Sequence, residues 1–287
     1  MGQLLCCGAD PNHTDASNAS PLHWSIYSED ETSLQLLLRA KAEVELKDVC
    51  GRTTLCAIAS EGVPSGMSVE LVNILLRYGA NVETREQNGH TPLHRATLKN
   101  NHHIVAALLK KGANINATTS TGHTALHLAV FNRSHEALRV LLDHSNVDYN
   151  VEDHYASTWL RYAVYYADIE TIHILSSKSL NEPDCMDDEG NCDGHTAKRF
   201  AQWRKNFNDD WSTFSEQPRD YDPVKWYTAF EKLLDSLVNA ENSRTRNSID
   251  EGNMTLKGDM IESSDTDSEG EDNKDSECWR DAVEEIC

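Results

Sequence analysis

The chain repeats itself. Ser20-Pro21-Leu22-His23 returns as Thr53-Thr54-Leu55-Cys56, Thr91-Pro92-Leu93-His94, Thr124-Ala125-Leu126-His127, Thr158-Trp159-Leu160-Arg161 and Thr196-Ala197-Lys198-Arg199. The steps between copies are 33, 38, 33, 34 and 38 residues. An aliphatic landmark follows each of the first five: Leu37-Leu38, Leu75-Leu76, Leu108-Leu109, Leu141-Leu142 and Ile174-Leu175. Turn-forming segments punctuate the copies: "GADPN" at 8–12, "GANVE" at 79–83, "GANIN" at 112–116 and a looser "NVDYN" at 146–150. A period of this length makes each unit one supersecondary motif, too small to bury its own apolar face. Stability must then come from stacking neighbours into a solenoid.

The residue types explain the local structure of each unit. Thr91 suits a helix N-cap, and Pro92 the first helical position, where a lost N–H costs nothing. Leu93 and Ala96 lie three apart on a short first helix, and the small alanine lets a neighbouring helix approach. Ile104, Val105, Leu108 and Leu109 give a second helix the spacing of one buried face. Gly112 supplies a left-handed stop. The whole pattern closely resembles the ankyrin repeat, with its Thr-Pro-Leu-His-x-Ala signature, over roughly residues 3–204. The resemblance implies an all-α ankyrin-repeat solenoid, helix-turn-helix units joined by β-hairpin-like turns.

Two histidine pairs, His90 with His94 and His123 with His127, show half of a zinc-site spacing. With Thr91 as the cap, His90 falls in the turn, so that pair does not share a helix face. Equivalent residues of packed helices stand about 8–10 Å apart, too far to share a metal. His94 and His127 are therefore expected to hydrogen-bond the turn backbone, and no metal or other cofactor is expected.

The array departs from its pattern in several places. Leu4-Leu5-Cys6-Cys7-Gly8-Ala9 reads as the end of a second helix without its first, so either Met1 is internal to a longer protein or the array starts frayed. "MGQLLCC" also offers Gly2 for myristate and Cys6 and Cys7 for palmitate, with cysteine where Ser or Thr is preferred. Extra residues around "EGVPSGMS" (61–68) read as a loop between helices, either a tolerated insertion or a binding finger. "EPDCMDDEGNCDG" fails as a calcium loop. With Gly190 at the glycine position, Cys185 stands first and Thr196 twelfth; with Gly194 there, Phe200 stands twelfth.

Beyond the repeats, residues 222–240 form an amphipathic helix with Trp226, Phe230, Leu233, Leu234 and Leu237 on one face. Docking on the open end of the stack covers that face better than leaving it for a partner's groove. The organisation is then an array over 1–217, a capping helix over 218–243 and a tail over 244–287. Residues 250–287 carry 14 acidic and 3 basic side chains, too charged to bury, so the tail reads as disordered. Ser264, Thr266 and Ser268 each precede an acidic residue by three positions, which suits an acidophilic kinase; a plain solubilising tail is the rival reading.

Charge and motifs narrow the function. With 26 basic and 47 acidic residues the net charge is −21, which disfavours nucleic acid and anionic membranes. No apolar run approaches the ~20 residues of a membrane span, and no secretory signal opens the chain. The eight cysteines lack CxxC spacing and read as reduced thiols in a cytoplasmic or nuclear setting. No nucleotide loop, nucleophile elbow or HExxH motif is present.

The expected role is a non-enzymatic, monomeric protein-interaction module, an adaptor or scaffold. The alternative is the regulatory ankyrin portion of a larger channel, enzyme or ubiquitin-ligase subunit. The resemblance implies an inner, concave binding face built from the turns and the ends of the first helices. Counting seven residues beyond each cap gives Tyr27, Ser60, Leu98, Phe131, Tyr165 and Trp203, with Tyr166 one further. These positions point away from neighbouring repeats, yet most are apolar or aromatic, as binding hot spots are. His90, His123, His154 and Tyr155 are expected to form a polar rim, and the partner to lie across repeats three to six. The resemblance also implies hydroxylation of Asn150 by the oxygen-dependent asparaginyl hydroxylase, since Leu142 and Asp148-Tyr149 precede it at the favoured spacing.

Overall fold

A computed structural model describes residues 2–27, 31–60, 65–177, 222, 224–234 and 236. A short helix, α1 (Gly2–Cys6), opens the chain. Five helix pairs follow: α2 (Pro21–Ser25) with α3 (Glu31–Arg39), α4 (Thr54–Ser60) with α5 (Ser65–Arg77), α6 (Pro92–Leu98) with α7 (His102–Lys110), α8 (Ala125–Phe131) with α9 (His135–Leu142), and α10 (Trp159–Tyr166) with α11 (Ile169–Ser176). Residues 224–234 form a further helix, α12. No strand occurs among the described residues.

The pairs stack in two rows. First helices pack in the order α2, α4, α6, α8, α10, and second helices in the order α3, α5, α7, α9, α11. The core lies between the rows. Leu22, Leu55, Leu93, Leu126 and Leu160, the third residue of each repeating tetrad, are all essentially buried. So are Leu37, Leu75, Leu108, Leu141 and Ile174 from the second helices. Ala96, Ala129 and Ala163, fully buried, sit where a larger side chain would push the first helices apart.

Caps start the first helices. Thr91 and Thr124 adopt extended backbone before α6 and α8, as Thr158 does before α10. Ser20 and Thr124 accept the backbone N–H of the third helical residue, which satisfies a donor the helix leaves over. Gly79 and Gly112, with φ of 91° and 88°, end α5 and α7 in the left-handed region that glycine enters without penalty.

Between pairs the chain makes a tight turn, and these turns interlock. The N–H groups of Asp15, Asp48, Glu86, Thr119 and Asp153 each donate to the carbonyl four residues on. Each turn then reaches back to its predecessor: Val49 N–H donates to the Ser17 carbonyl, Gln87 to Cys50, Ser120 to Asn88 and His154 to Thr121. These cross-repeat bonds give the turns their hairpin-like form although no strand results.

The second unit departs from the loop expected around 61–68. Helix α5 begins at Ser65 and includes Gly66, so part of the extra length extends this helix to 13 residues, against 9 in α3 and α7. Residues 61–64, Pro64 among them, lie outside the described residues.

Helix α12 contributes Trp226, Phe230 and Leu233, all fully buried. The Trp226 indole N–H donates to the Ala167 carbonyl at 2.8 Å, and its ring stacks on Phe230 at 5.0 Å. Ala167 is the residue that ends α10, so this contact ties α12 to the fifth repeat. The sixth copy and the acidic segment, with Trp203, Ser264, Thr266 and Ser268, lie outside the described residues.

Candidate partner-binding surface

The helix-start histidines build the turns rather than a site. His94 Nδ1 faces the Thr91 N–H and hydroxyl at 3.1 and 2.8 Å, while Nε2 lies 3.0 Å from the Ala117 carbonyl. A carbonyl only accepts, so Nε2 carries the proton and donates. His127 repeats this with Thr124 and the Ser157 carbonyl, and His23 with Ser20 and the Arg52 carbonyl. Each imidazole thus stitches its own cap to the following turn. Burial drives His94 down to about 3 and His127 to about 4, so both stay neutral at physiological pH. In the second repeat Cys56 fills the same slot; burial pushes its thiol up to about 12, which makes it an inert core residue.

The turns carry a second periodic device that spacing alone did not reveal. Asp15 Oδ2 accepts from the Trp24 indole N–H at 2.9 Å, Glu86 Oε2 from Arg95 Nε at 2.9 Å, and Asp153 Oδ2 from the Tyr162 hydroxyl at 2.7 Å. All three pairs are nine residues apart, one on the turn and one on the first helix. Ala57 occupies the corresponding helical position after Asp48, so Asp48 instead pairs with Arg52 at 2.8 Å. Trp24, Arg95 and Tyr162 were missed by sequence reading; a search for acidic residues nine before a helical donor would have found them.

Around Asp153 the pairing becomes a buried network. His123 Nε2 lies 2.6 Å from the Tyr162 hydroxyl, and Thr121 Oγ1 lies 2.6 Å from His123 Nδ1. Since the Tyr162 hydroxyl donates to Asp153, its oxygen accepts from His123. Burial alone would raise the Asp153 carboxyl, but bonds from His123, Tyr162 and the Ser157 and Tyr155 amides outweigh that and hold it low.

This overturns the expected rim. His90 and His123 are 4% and 1% exposed, because the next turn folds over each of them. His90 packs edge-on to His94 at 6.0 Å, and neither of its ring nitrogens has a hydrogen-bond partner among the described residues. Burial lowers it to about 4. Neither histidine is a surface residue. His154 is exposed and Tyr155 half-buried, at the tip of the fifth turn.

The row at the ends of the first helices is half-buried. Leu98, Phe131, Tyr165 and Tyr166 each keep part of their side chain accessible. The Phe131 ring meets Tyr166 edge-to-face at 4.8 Å and lies 6.4 Å from buried Tyr162. Burial raises the Tyr166 hydroxyl to about 12, so it is a neutral donor. Tyr27 is 54% exposed, beside Trp24 at 57%. The structure thus brings Phe131, Tyr165 and Tyr166 into one aromatic cluster on repeats four and five and leaves Tyr27 at the opposite end of the array. Among the described residues no helix is long and apolar enough to cross a membrane, and no three His, Cys, Asp or Glu residues gather where a metal could bind.

Known proteins match this arrangement. The family model of ankyrin repeats in three copies matches at residues 22–119, 58–153 and 118–187. Palmitoyltransferase AKR1 of Lachancea kluyveri is 37% identical over 100 residues, which are 33% of this chain and 13% of that protein. Glycerophosphocholine phosphodiesterase gde1 of Schizosaccharomyces pombe is 28% identical over 103 residues, 36% of this chain and 9% of that protein. This chain therefore spans only a small fraction of the length of either relative.

Proposed function

The chain belongs to the ankyrin-repeat family, and from that premise we propose that it is a non-enzymatic adaptor or scaffold that holds a protein partner along its concave face. Protein binding is the general role of these repeats; the finer reading rests on the aromatic row. Phe131, Tyr165 and Tyr166 cluster at the ends of α8 and α10, outside the leucine core, with part of each ring accessible. The stack holds its helices together chiefly through Leu126, Leu138, Leu141 and Leu160, and the half-buried aromatics lie at the edge of that core. Aromatic side chains of this kind dominate binding energies because they bury much area with little rotamer entropy. Leu98 extends the row toward repeat three, and His154 and Tyr155 flank it. Fold alone does not name a partner.

Alanine at Phe131, Tyr165 or Tyr166 should weaken capture of a partner by about 2 kcal/mol or more with little change in melting midpoint. Capture compared between the intact chain and these variants tests this. A partner retained equally by all of them would remove the row from the binding face. A second reading, a regulatory ankyrin portion of a larger enzyme, is favoured by the two enzymes that match over only about a third of this chain. A transcript with coding sequence upstream of Met1 would select it.

A further inference from the structure

We propose that the Trp24–Tyr27 corner of the first repeat receives an arginine or lysine side chain from a basic segment of a protein partner. The periodic carboxylates argue for it. Glu86 is neutralised by Arg95, Asp48 by Arg52, and Asp153 is buried among hydroxyl and imidazole donors. Asp15 holds the same place in the first turn but differs in two ways. It is exposed, and its hydrogen-bond donors, the Ser17 N–H and hydroxyl, the Ala19 N–H and the Trp24 indole, are all neutral. These bonds hold its carboxyl near 2, so the charge persists at every physiological pH. Where the second and third turns pair their carboxylates with an internal cation and the fifth buries its own, the first supplies an exposed indole.

Shape and electronics agree. Trp24 and Tyr27 are the exposed aromatic pair of this repeat, their rings 5.8 Å apart and inclined at 48°. An aromatic face attracts cations through its quadrupole, and indole does so best. An N–H donated to a carboxylate pushes electron density into that ring and strengthens the attraction. Asp15 Oδ1 takes three of the four donors, and Oδ2 takes the indole, which leaves Oδ2 capacity for one more N–H. A guanidinium can lie on the indole and bond that oxygen together. Acidic side chains satisfy neither feature, and an uncharged amide can meet the carboxylate but not the quadrupole. The site is at the far end of the array from Phe131 and Tyr166, so it does not rest on the aromatic row.

The experiment uses the full chain and three blocked peptides, Gly-Arg-Gly-Arg-Gly and its Gln and Glu counterparts. The reporter is the Trp24 indole N–H resonance, assigned by its loss in Trp24→Phe. The arginine peptide should shift it saturably, the other two should not, and Asp15→Asn should weaken binding about three-fold or more. Asparagine keeps the Oδ1 acceptor that holds the turn, while the charge and the acceptor of the Trp24 indole are lost together. Reading one resonance separates this corner from the acidic segment, which takes up basic peptide equally in both proteins. Equal shifts with the glutamine peptide, unchanged affinity in Asp15→Asn, or no shift at Trp24 would each overturn the proposal. Should Asp15→Asn lower the melting midpoint, Trp24→Phe followed through the Tyr27 ring resonances makes the same comparison.

Discussion

Ala156 adopts the left-handed backbone conformation, φ 52°, at the turn position that Gly122 fills one repeat earlier with φ 88°. Alanine is strained there by about 1–2 kcal/mol, while glycine would lose about 0.5–1 kcal/mol through its freer unfolded chain. Ala156→Gly should therefore stabilise the fifth repeat by roughly 0.5–1 kcal/mol. Gly122→Ala should do the opposite and more, since its methyl would come within 2.8 Å of the Asp153 and His154 backbone. Denaturant midpoints of the two variants, moving in opposite directions, check this.

Phe230→Ala should destabilise the end of the array by about 3–5 kcal/mol, as other buried aromatic truncations do. Trp226→Phe keeps most of the packing but strands the Ala167 carbonyl, a loss of about 1–3 kcal/mol. Thermal unfolding that ignores both changes would separate α12 from the stack.

The buried imidazoles make stability depend on pH. His90, His94 and His127 are held at about 4, 3 and 4, below their ordinary 6.5, so the unfolded chain binds more protons between those values. Stability should rise with pH across roughly 4 to 6.5, by about 1.4 kcal/mol per unit for each proton taken up on unfolding. His135 acts in the opposite sense. The Asp168 carboxylate, 3.0 Å away, raises it despite partial burial, so its contribution is complete below 6.5 and fades as pH climbs through the raised value. Denaturation series across pH for the intact chain, His94→Asn and His135→Ala should show a shallower acid slope in the first variant. His135→Ala should instead lose the decline on the alkaline side.

Asn150 is exposed in the last described turn of its kind, and its N–H donates to Asp148. We propose it as the hydroxylation acceptor of the array. Incubation with the asparaginyl hydroxylase should add one oxygen to the peptide containing Asn150 and none to that containing Asn116, whose preceding acid is replaced by Asn114. An unmodified Asn150 peptide ends the assignment.

What was readable in the sequence is what each repeat demands of itself. A cap, a buried leucine and a left-handed stop are local requirements, so Thr91, Leu93 and Gly112 announce them. The orientation of His90 and His123 is a demand of the neighbouring repeat, whose turn covers them, and identical "GHT" strings say nothing about that cover. Tyr162 lies 39 residues from His123, so their bond is invisible to any local rule. Gly66 misled in the other direction, because glycine near a helix start is tolerated when the remaining turns of α5 are good.

The back-reaching turn bonds divide the chain into lengths that barely vary and lengths that are free. From Leu76 and Leu109 to the next cap the chain takes 15 residues and from Leu142 it takes 16, and each stretch delivers its turn tip against Cys50, Asn88 or Thr121, so these lengths differ by no more than one residue. The excess length of the second unit falls wholly between Thr53 and Leu76, where no such appointment has to be kept. Growth by several residues is therefore taken up outward on the helical side, which can lengthen while the pitch of the stack, and any surface that depends on it, stays as it was.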